Sequence, residues 1–166
     1  MKVFGWWLAF VLGLYILQSA FLPLMGFNGV SADLMLLLVV SYSFQRGPRH
    51  GILMGFLTGL LQDLATGTFF GVDILAKMAV GFACGYFSRR LFKEQVVLPM
   101  AAVVAATAMH YLIVLVFMLL LGYRANILVQ GHRLLLPMLA YNLAFALPVN
   151  WCVHQMCERL STKKRN

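Results

Sequence analysis

The sequence predicts an all-α integral membrane protein, a single domain of six transmembrane helices with both termini in the cytoplasm. Three observations carry that prediction. First, 62% of the 166 residues are apolar and 11% are charged, against roughly 45–50% and about 25% in soluble domains. So few polar groups cannot cover a water-facing surface. Second, the apolar residues fall into six runs: Val3–Leu22, Ala32–Phe44, Gly51–Ala65, Val72–Phe87, Val96–Gly122 and Leu134–Met156. Third, the basic residues sort by side. With the amino terminus inside, the inner segments hold Lys2, Arg46, Arg49, Arg89, Arg90, Lys93, Arg159, Lys163, Lys164 and Arg165, and the outer segments hold only Arg124 and Arg133. Positive-inside sorting gives that distribution. The net charge of +8 would point to nucleic acid in a soluble chain. Here the inner loops and the basic tail 158–166 account for it, and no nucleic-acid partner is implied.

The first run has the outline of a signal peptide, with Lys2 ahead of an apolar stretch. It is longer than the ~7–15 residues of a signal h-region, and no small-x-small cleavage site follows. Gln18-Ser19-Ala20 is a poor substitute, so the run reads as an uncleaved first span. A straight span needs about 20 residues, with roughly 17 as the lower limit. Runs two to four reach it only with flanking residues such as Val30, Ser31 and Thr66, and the second is the weakest. Along run three, Gly51, Gly55, Gly59, Asp63 and Gly67 recur at spacing four. Beyond the turn that ends at Gly71, run four repeats the pattern with Asp73, Lys77, Gly81, Gly85 and Arg89. Small residues at this spacing let helix backbones approach closely inside a membrane. Gly55, Gly59, Gly67, Gly71, Gly81 and Gly85 are therefore expected to mark a contact between helices three and four. Gly5, Ala9 and Gly13 in the first run, and Ala101 and Ala105 in the fifth, share the spacing. Pro148 predicts a bend in the sixth helix. The longest outer connection, Tyr123–Arg133, leaves no room for a soluble domain, and the basic tail, though suited to anionic lipid, reads first as an orientation signal.

The polar residues within the runs need partners or a purpose. Asp63 lies just before the outer turn and Lys77 just after it, at matching depth in the outer half. Asp33 and Asp73 fall at the outer N-termini of helices two and four, where free N–H groups and the helix dipole favour a carboxylate. Asp73 precedes Lys77 by one helical turn, the favourable order for a pair. Lys77 is thus expected to pair with Asp63, Asp73 or both, with Gln18, Gln62 and Asn142 adding polar groups at similar depth. Two readings stay open: a structural network that locks helices three and four, or an outward-facing site for a ligand or partner. His110, mid-helix in run five, reads as a packed, hydrogen-bonded histidine. Three carboxylates and one lysine at the outer rim form no path across a membrane.

No catalytic frame emerges. There is no nucleophile elbow, zinc-protease helix or phosphate-binding loop, and the chain is expected not to be an enzyme. The cysteines Cys84, Cys152 and Cys157 form no C-x-x-C pair, and Cys152, His154 and Cys157 do not share one helical face. No metal or other cofactor is expected.

With Gly55-Phe-Leu-Thr-Gly59-Leu-Leu-Gln-Asp63-Leu-Ala-Thr-Gly67-Thr-Phe-Phe-Gly71 in view, the chain resembles the bacterial rod-shape-determining protein MreD family. The likeness continues through Leu75-Ala76, Gly81, Gly85-Tyr86 and Arg89-Arg90. An earlier element, Asp33 followed by Leu34-Met35-Leu36-Leu37-Leu38-Val39-Val40, resembles the family's acidic-then-leucine second helix, although Ala32 stands where the family often has Pro. Residues 96–157 match in hydropathy only. The resemblance implies a non-enzymatic subunit of the cell-elongation machinery in the cytoplasmic membrane. Its implied partner is the bitopic protein MreC and, through it, the actin-like MreB and the peptidoglycan synthases RodA and its penicillin-binding partner. The family is also similar in fold to the substrate-binding S-components of energy-coupling-factor transporters. The alternative implied is a vitamin-binding subunit that uses Gln18, Asp33, Gln62, Asp63, Lys77 and Asn142.

Overall fold

The computed structural model describes residues 2–20, 22, 31–67, 69–88, 97–122 and 127–162. Among them are six helices and no strand: α1 (Lys2–Ala20), α2 (Leu34–Arg46), α3 (Pro48–Thr66), α4 (Val72–Ser88), α5 (Val97–Leu120) and α6 (Ile127–Thr162). Among the described residues two segments are long and apolar enough to cross a membrane, Met100–Leu120 in α5 and Leu135–Arg159 in α6. The basic residues Arg89, Arg90, Lys93, Arg124, Lys163, Lys164 and Arg165 lie outside the described residues.

The second run, the weakest span by length, forms the centre of the bundle. α2 is apolar on every side, and a helix with no polar face is a buried one. Every residue from Leu34 to Ser41 is buried, and all five other helices pack against it. Its 13 residues rise only about 20 Å, less than the ~30 Å hydrocarbon core. A helix enclosed by protein does not have to reach both lipid boundaries itself. Asp33 caps its start, the Leu36 N–H donating to Asp33 Oδ1 at 3.0 Å. Gly47, at φ 86°, ends it, and Pro48 opens α3 at once, where its missing N–H is harmless.

α3 and α4 form an antiparallel hairpin whose backbones touch. A Cβ added at Gly55 would lie 2.6 Å from the Lys77 carbonyl carbon, and one at Gly59 2.5 Å from Ile74 Cα. One at Gly81 would lie 2.7 Å from the Gly51 carbonyl carbon, and one at Gly85 2.5 Å from the Pro48 nitrogen. The facing positions run in opposite directions along the two helices, as a short turn requires. Gly67 and Gly71 do not belong to this contact, contrary to the stripe reading. A Cβ at either would meet nothing within 4 Å. They serve the turn instead, at φ 63° and 101°, left-handed conformations that glycine adopts without steric cost. The Gly67 N–H closes α3 on the Asp63 carbonyl at 3.1 Å.

α5 and α6 flank α2 and each other. Most of the connection expected over Tyr123–Arg133 is helix, because α6 begins at Ile127; residues 123–126 lie outside the described residues. Ile127-Leu128-Val129 sets no helix stop, and the Gly131 that follows costs only about 1 kcal/mol in a helix. α6 continues as helix through both Pro137 and Pro148. α1 rests on α2 along one side, with Val11 buried and Trp7 edge-on to Tyr42 at 4.7 Å. Its small-residue stripe faces outward, and a Cβ at Gly5 or Gly13 meets nothing within 4 Å.

Candidate functional site

The polar residues gather where α2 and α4 begin. Asp33 ends the segment leading into α2 and Asp73 lies in the first turn of α4, so two carboxylates sit at two helix N-termini, where exposed N–H groups favour them. Lys77, one turn further along α4, reaches both. Its Nζ lies 3.2 Å from Asp33 Oδ2 and 3.2 Å from Asp73 Oδ1. Lys77 is fully buried at 0% exposure, and the Asp33 and Asp73 side chains are 6% and 21% exposed. Burying an ammonium this deeply is tolerated only when it is paired and hydrogen-bonded.

The sequence pointed to Asp73 or Asp63 as the partner of Lys77. The structure brings Asp73 and Asp33 to it, and gives Asp63 another task. Asp63 is buried, and its carboxylate accepts three backbone N–H bonds. They come from Gly71 at 2.9 Å, Ile74 at 3.1 Å and Asp73 at 3.2 Å. A carboxylate on the last turn of α3 thereby caps the first turn of α4. The tight turn through Gly67 and Gly71 doubles the chain back so that the N-terminus of α4 meets Asp63. Replacing Asp63 by Ala should destabilise the chain by about 2 kcal/mol, since it removes a charge-assisted cap and leaves three partly buried donors unpaired. Asp63→Asn should recover part of that loss. Thermal unfolding of the purified chain measures both, and an Asp63→Ala protein as stable as wild type would overturn the capping role.

Further helices join through neutral groups. Asn142 of α6, fully buried, accepts the Asp33 backbone N–H at 2.9 Å and donates to Thr107 Oγ1 of α5 at 3.0 Å. Gln18 of α1 accepts the Met35 N–H at 3.1 Å. These bonds satisfy early N–H groups of α2, which a buried helix N-terminus cannot leave open. Gln62 stays apart, its Oε1 buried without a hydrogen-bond partner.

His110 is the member whose position the sequence did not disclose. Its Nε2 lies 3.5 Å from Asp73 Oδ1 and 4.0 Å from Asp33 Oδ2. One signal was available: His110 and Thr107 stand three residues apart in an otherwise apolar helix, and both face inward with Val103 and Ala106. The cluster thus joins ionisable groups from the head of α2, from α4 and from α5, with α1 and α6 attached through amides. Among the described residues no group of three or more His, Cys, Asp or Glu is placed to hold a metal ion, and Cys84, Cys152 and Cys157 are free thiols.

The family model described as rod shape-determining protein MreD matches residues 1–160. No curated protein and no solved structure matches the chain.

Proposed function

The chain belongs to the MreD family of rod shape-determining membrane proteins, and from that premise we propose that it is a non-enzymatic scaffold subunit of the bacterial cell-elongation machinery. In this reading it binds the bitopic protein MreC, which links it to MreB, RodA and the penicillin-binding partner of RodA, and so to peptidoglycan synthesis. The observation that carries the reading is the extent of the family match, which takes in every helix from α1 to α6. A second feature supports it: Asp33, Asp63, Asp73, Lys77, Gln18 and Asn142 are engaged with one another or with backbone N–H groups. Side chains used in this way hold a bundle rigid, as a scaffold needs. The vitamin-binding S-component reading would have to release them for a ligand.

In the same proposal the chain crosses the cytoplasmic membrane six times with both ends inside, α2 doing so within the protein, which puts the polar cluster in the outer half. Reporter fusions after Arg46 and Arg90 should read cytoplasmic, and fusions after Gly67 and Asn126 external. A carboxy-terminal reporter that reads external would overturn the arrangement.

The function is tested by isolating the tagged chain from native membranes and by depleting it in cells. MreC should copurify in fixed proportion, and depletion should turn rods into spheres. A stoichiometric vitamin-like ligand in the purified chain, with cell shape unchanged on depletion, would replace the scaffold by an S-component.

A further inference from the structure

The charges at the head of α2 and α4 do not balance. One ammonium, Lys77, faces two carboxylates, Asp33 and Asp73, at equal distance, so the trio carries one negative charge in excess. Asp63, approaching from α3, adds a second, but that one is met by three N–H groups at the N-terminus of α4. Within the trio the Leu36 N–H meets Asp33 Oδ1 at 3.0 Å, whereas the donor to the Asp73 carboxylate among the described residues is Lys77 Nζ. α1 and α6 contribute the amides of Gln18 and Asn142, and α5 contributes Thr107 and His110. Lys77 and Asp33 are closed to water, and Asp73 is only partly open to it. An isolated buried charge is so unfavourable that the group takes up or loses a proton instead. The one further titratable group facing the trio among the described residues is the His110 ring. Its Nε2 points at Asp73, and its Nδ1 is buried with no hydrogen-bond partner. No second bond therefore fixes the tautomer of the ring.

We propose that this cluster is a proton site: one exchangeable proton, held between Asp73 Oδ1 and His110 Nε2, neutralises the cluster and latches α5 onto α2 and α4. The proton comes from solvent at Asp73, the most exposed of the three charged members, and returns there. Only an O–H or N–H bond forms or breaks. A carboxylic acid donating to the ring and an imidazolium donating to the carboxylate carry the same total charge, so the balance holds for either form. Loss of the proton leaves a net buried anion and removes the charge-assisted bond across the α4–α5 contact. The packing of α5 thereby becomes sensitive to pH, whatever partner the bundle carries.

Thermal unfolding of the full-length chain in lipid nanodiscs, followed against pH, tests the proposal. For one proton per chain, the wild-type melting temperature should fall by roughly 5–10 °C over about two pH units as the cluster deprotonates. Asp73→Asn leaves Lys77 and Asp33 balanced without the proton, so its profile should be flat by comparison. Every other ionisable group is common to both proteins and cancels in the difference. Parallel profiles for wild type and Asp73→Asn would overturn the proposal. Should Asp73→Asn fail to fold, the wild-type protein decides through histidine nitrogen NMR and the infrared band of a protonated carboxyl. A His110 ring that stays neutral throughout, with no such carboxyl band at any pH, would equally overturn it.

Discussion

Replacing Lys77 by Met should lower stability by on the order of 3–5 kcal/mol, the usual consequence of removing one partner from a buried ion pair. Met keeps the length and the apolar stem, so the loss reports the ammonium. Without it, the Asp33 and Asp73 carboxylates face each other and His110 in a site nearly closed to water. Adding Asp33→Asn should recover much of the loss. Asn caps helices as well as Asp does, so the Leu36 N–H keeps its acceptor while the charge disappears. Recovery should be partial, because Asp73 still lacks its Lys77 donor, and larger when Asp73→Asn is added. Asp63→Asn should give no rescue, since Asp63 is bound to backbone N–H groups and not to Lys77. Unfolding of the single and double variants under one set of conditions measures the coupling. Losses from Lys77→Met and Asp33→Asn that simply add would show that the two side chains do not interact.

Local spacing was legible in the sequence, and long-range placement was not. The Asp73–Lys77 pair is one turn apart on one helix, so it could be read directly. Asp33 is far from Lys77 along the chain, and only the packing of α2 against α4 brings them together. Asp63 looked like a partner because its depth matched that of Lys77. Depth does not say which way a side chain turns, and the N-terminus of α4 lies nearer. The glycine stripe was visible for a chemical reason, since Gly51, Gly55 and Gly59, and then Gly81 and Gly85, recur at spacing four. The same rule overreached at Gly67 and Gly71, where the glycine answers backbone conformation and not close packing. α2 was undervalued because span length is a test for lipid-facing helices. Its uniformly apolar composition from Leu34 to Val40 was the better signal, and it marks a helix surrounded by protein. The inward face of α5, Thr107 with His110, was visible as a spacing of three, but nothing in the chain named the carboxylates it meets.

Gly81→Ala should destabilise the chain by about 3 kcal/mol or more, although it adds a single methyl group. Overpacking a side-chain core typically costs 1–3 kcal/mol, roughly, because neighbouring side chains can give way. At Gly81 the obstruction is the backbone of α3. The new Cβ would stand 2.7 Å from the Gly51 carbonyl carbon, with the carbonyl oxygen nearer still, and 3.1 Å from Val39 Cγ1 on α2. A helix carbonyl cannot rotate aside without breaking its own hydrogen bond, so the two helices must separate. Separation would also strip contacts at Gly55, Gly59 and Gly85, which face Lys77, Ile74 and Pro48 in the same register. It would move Lys77 relative to Asp33 as well, so the polar cluster should loosen along with the hairpin. Gly51→Ala should behave alike, because its Cβ meets the Gly81 carbonyl from the other side. Gly13→Ala on α1 is the control. Its Cβ meets nothing within 4 Å, and Ala favours a helix over Gly by about 1 kcal/mol, so stability should hold or rise slightly. The three variants carry the same chemical change, so only location separates them. Melting temperatures that rank Gly81→Ala and Gly51→Ala well below wild type, and Gly13→Ala at or above it, would establish the α3–α4 contact as the tightest seam of the bundle. A Gly81→Ala protein that melts with wild type would instead place the two helices further apart than their backbones stand here.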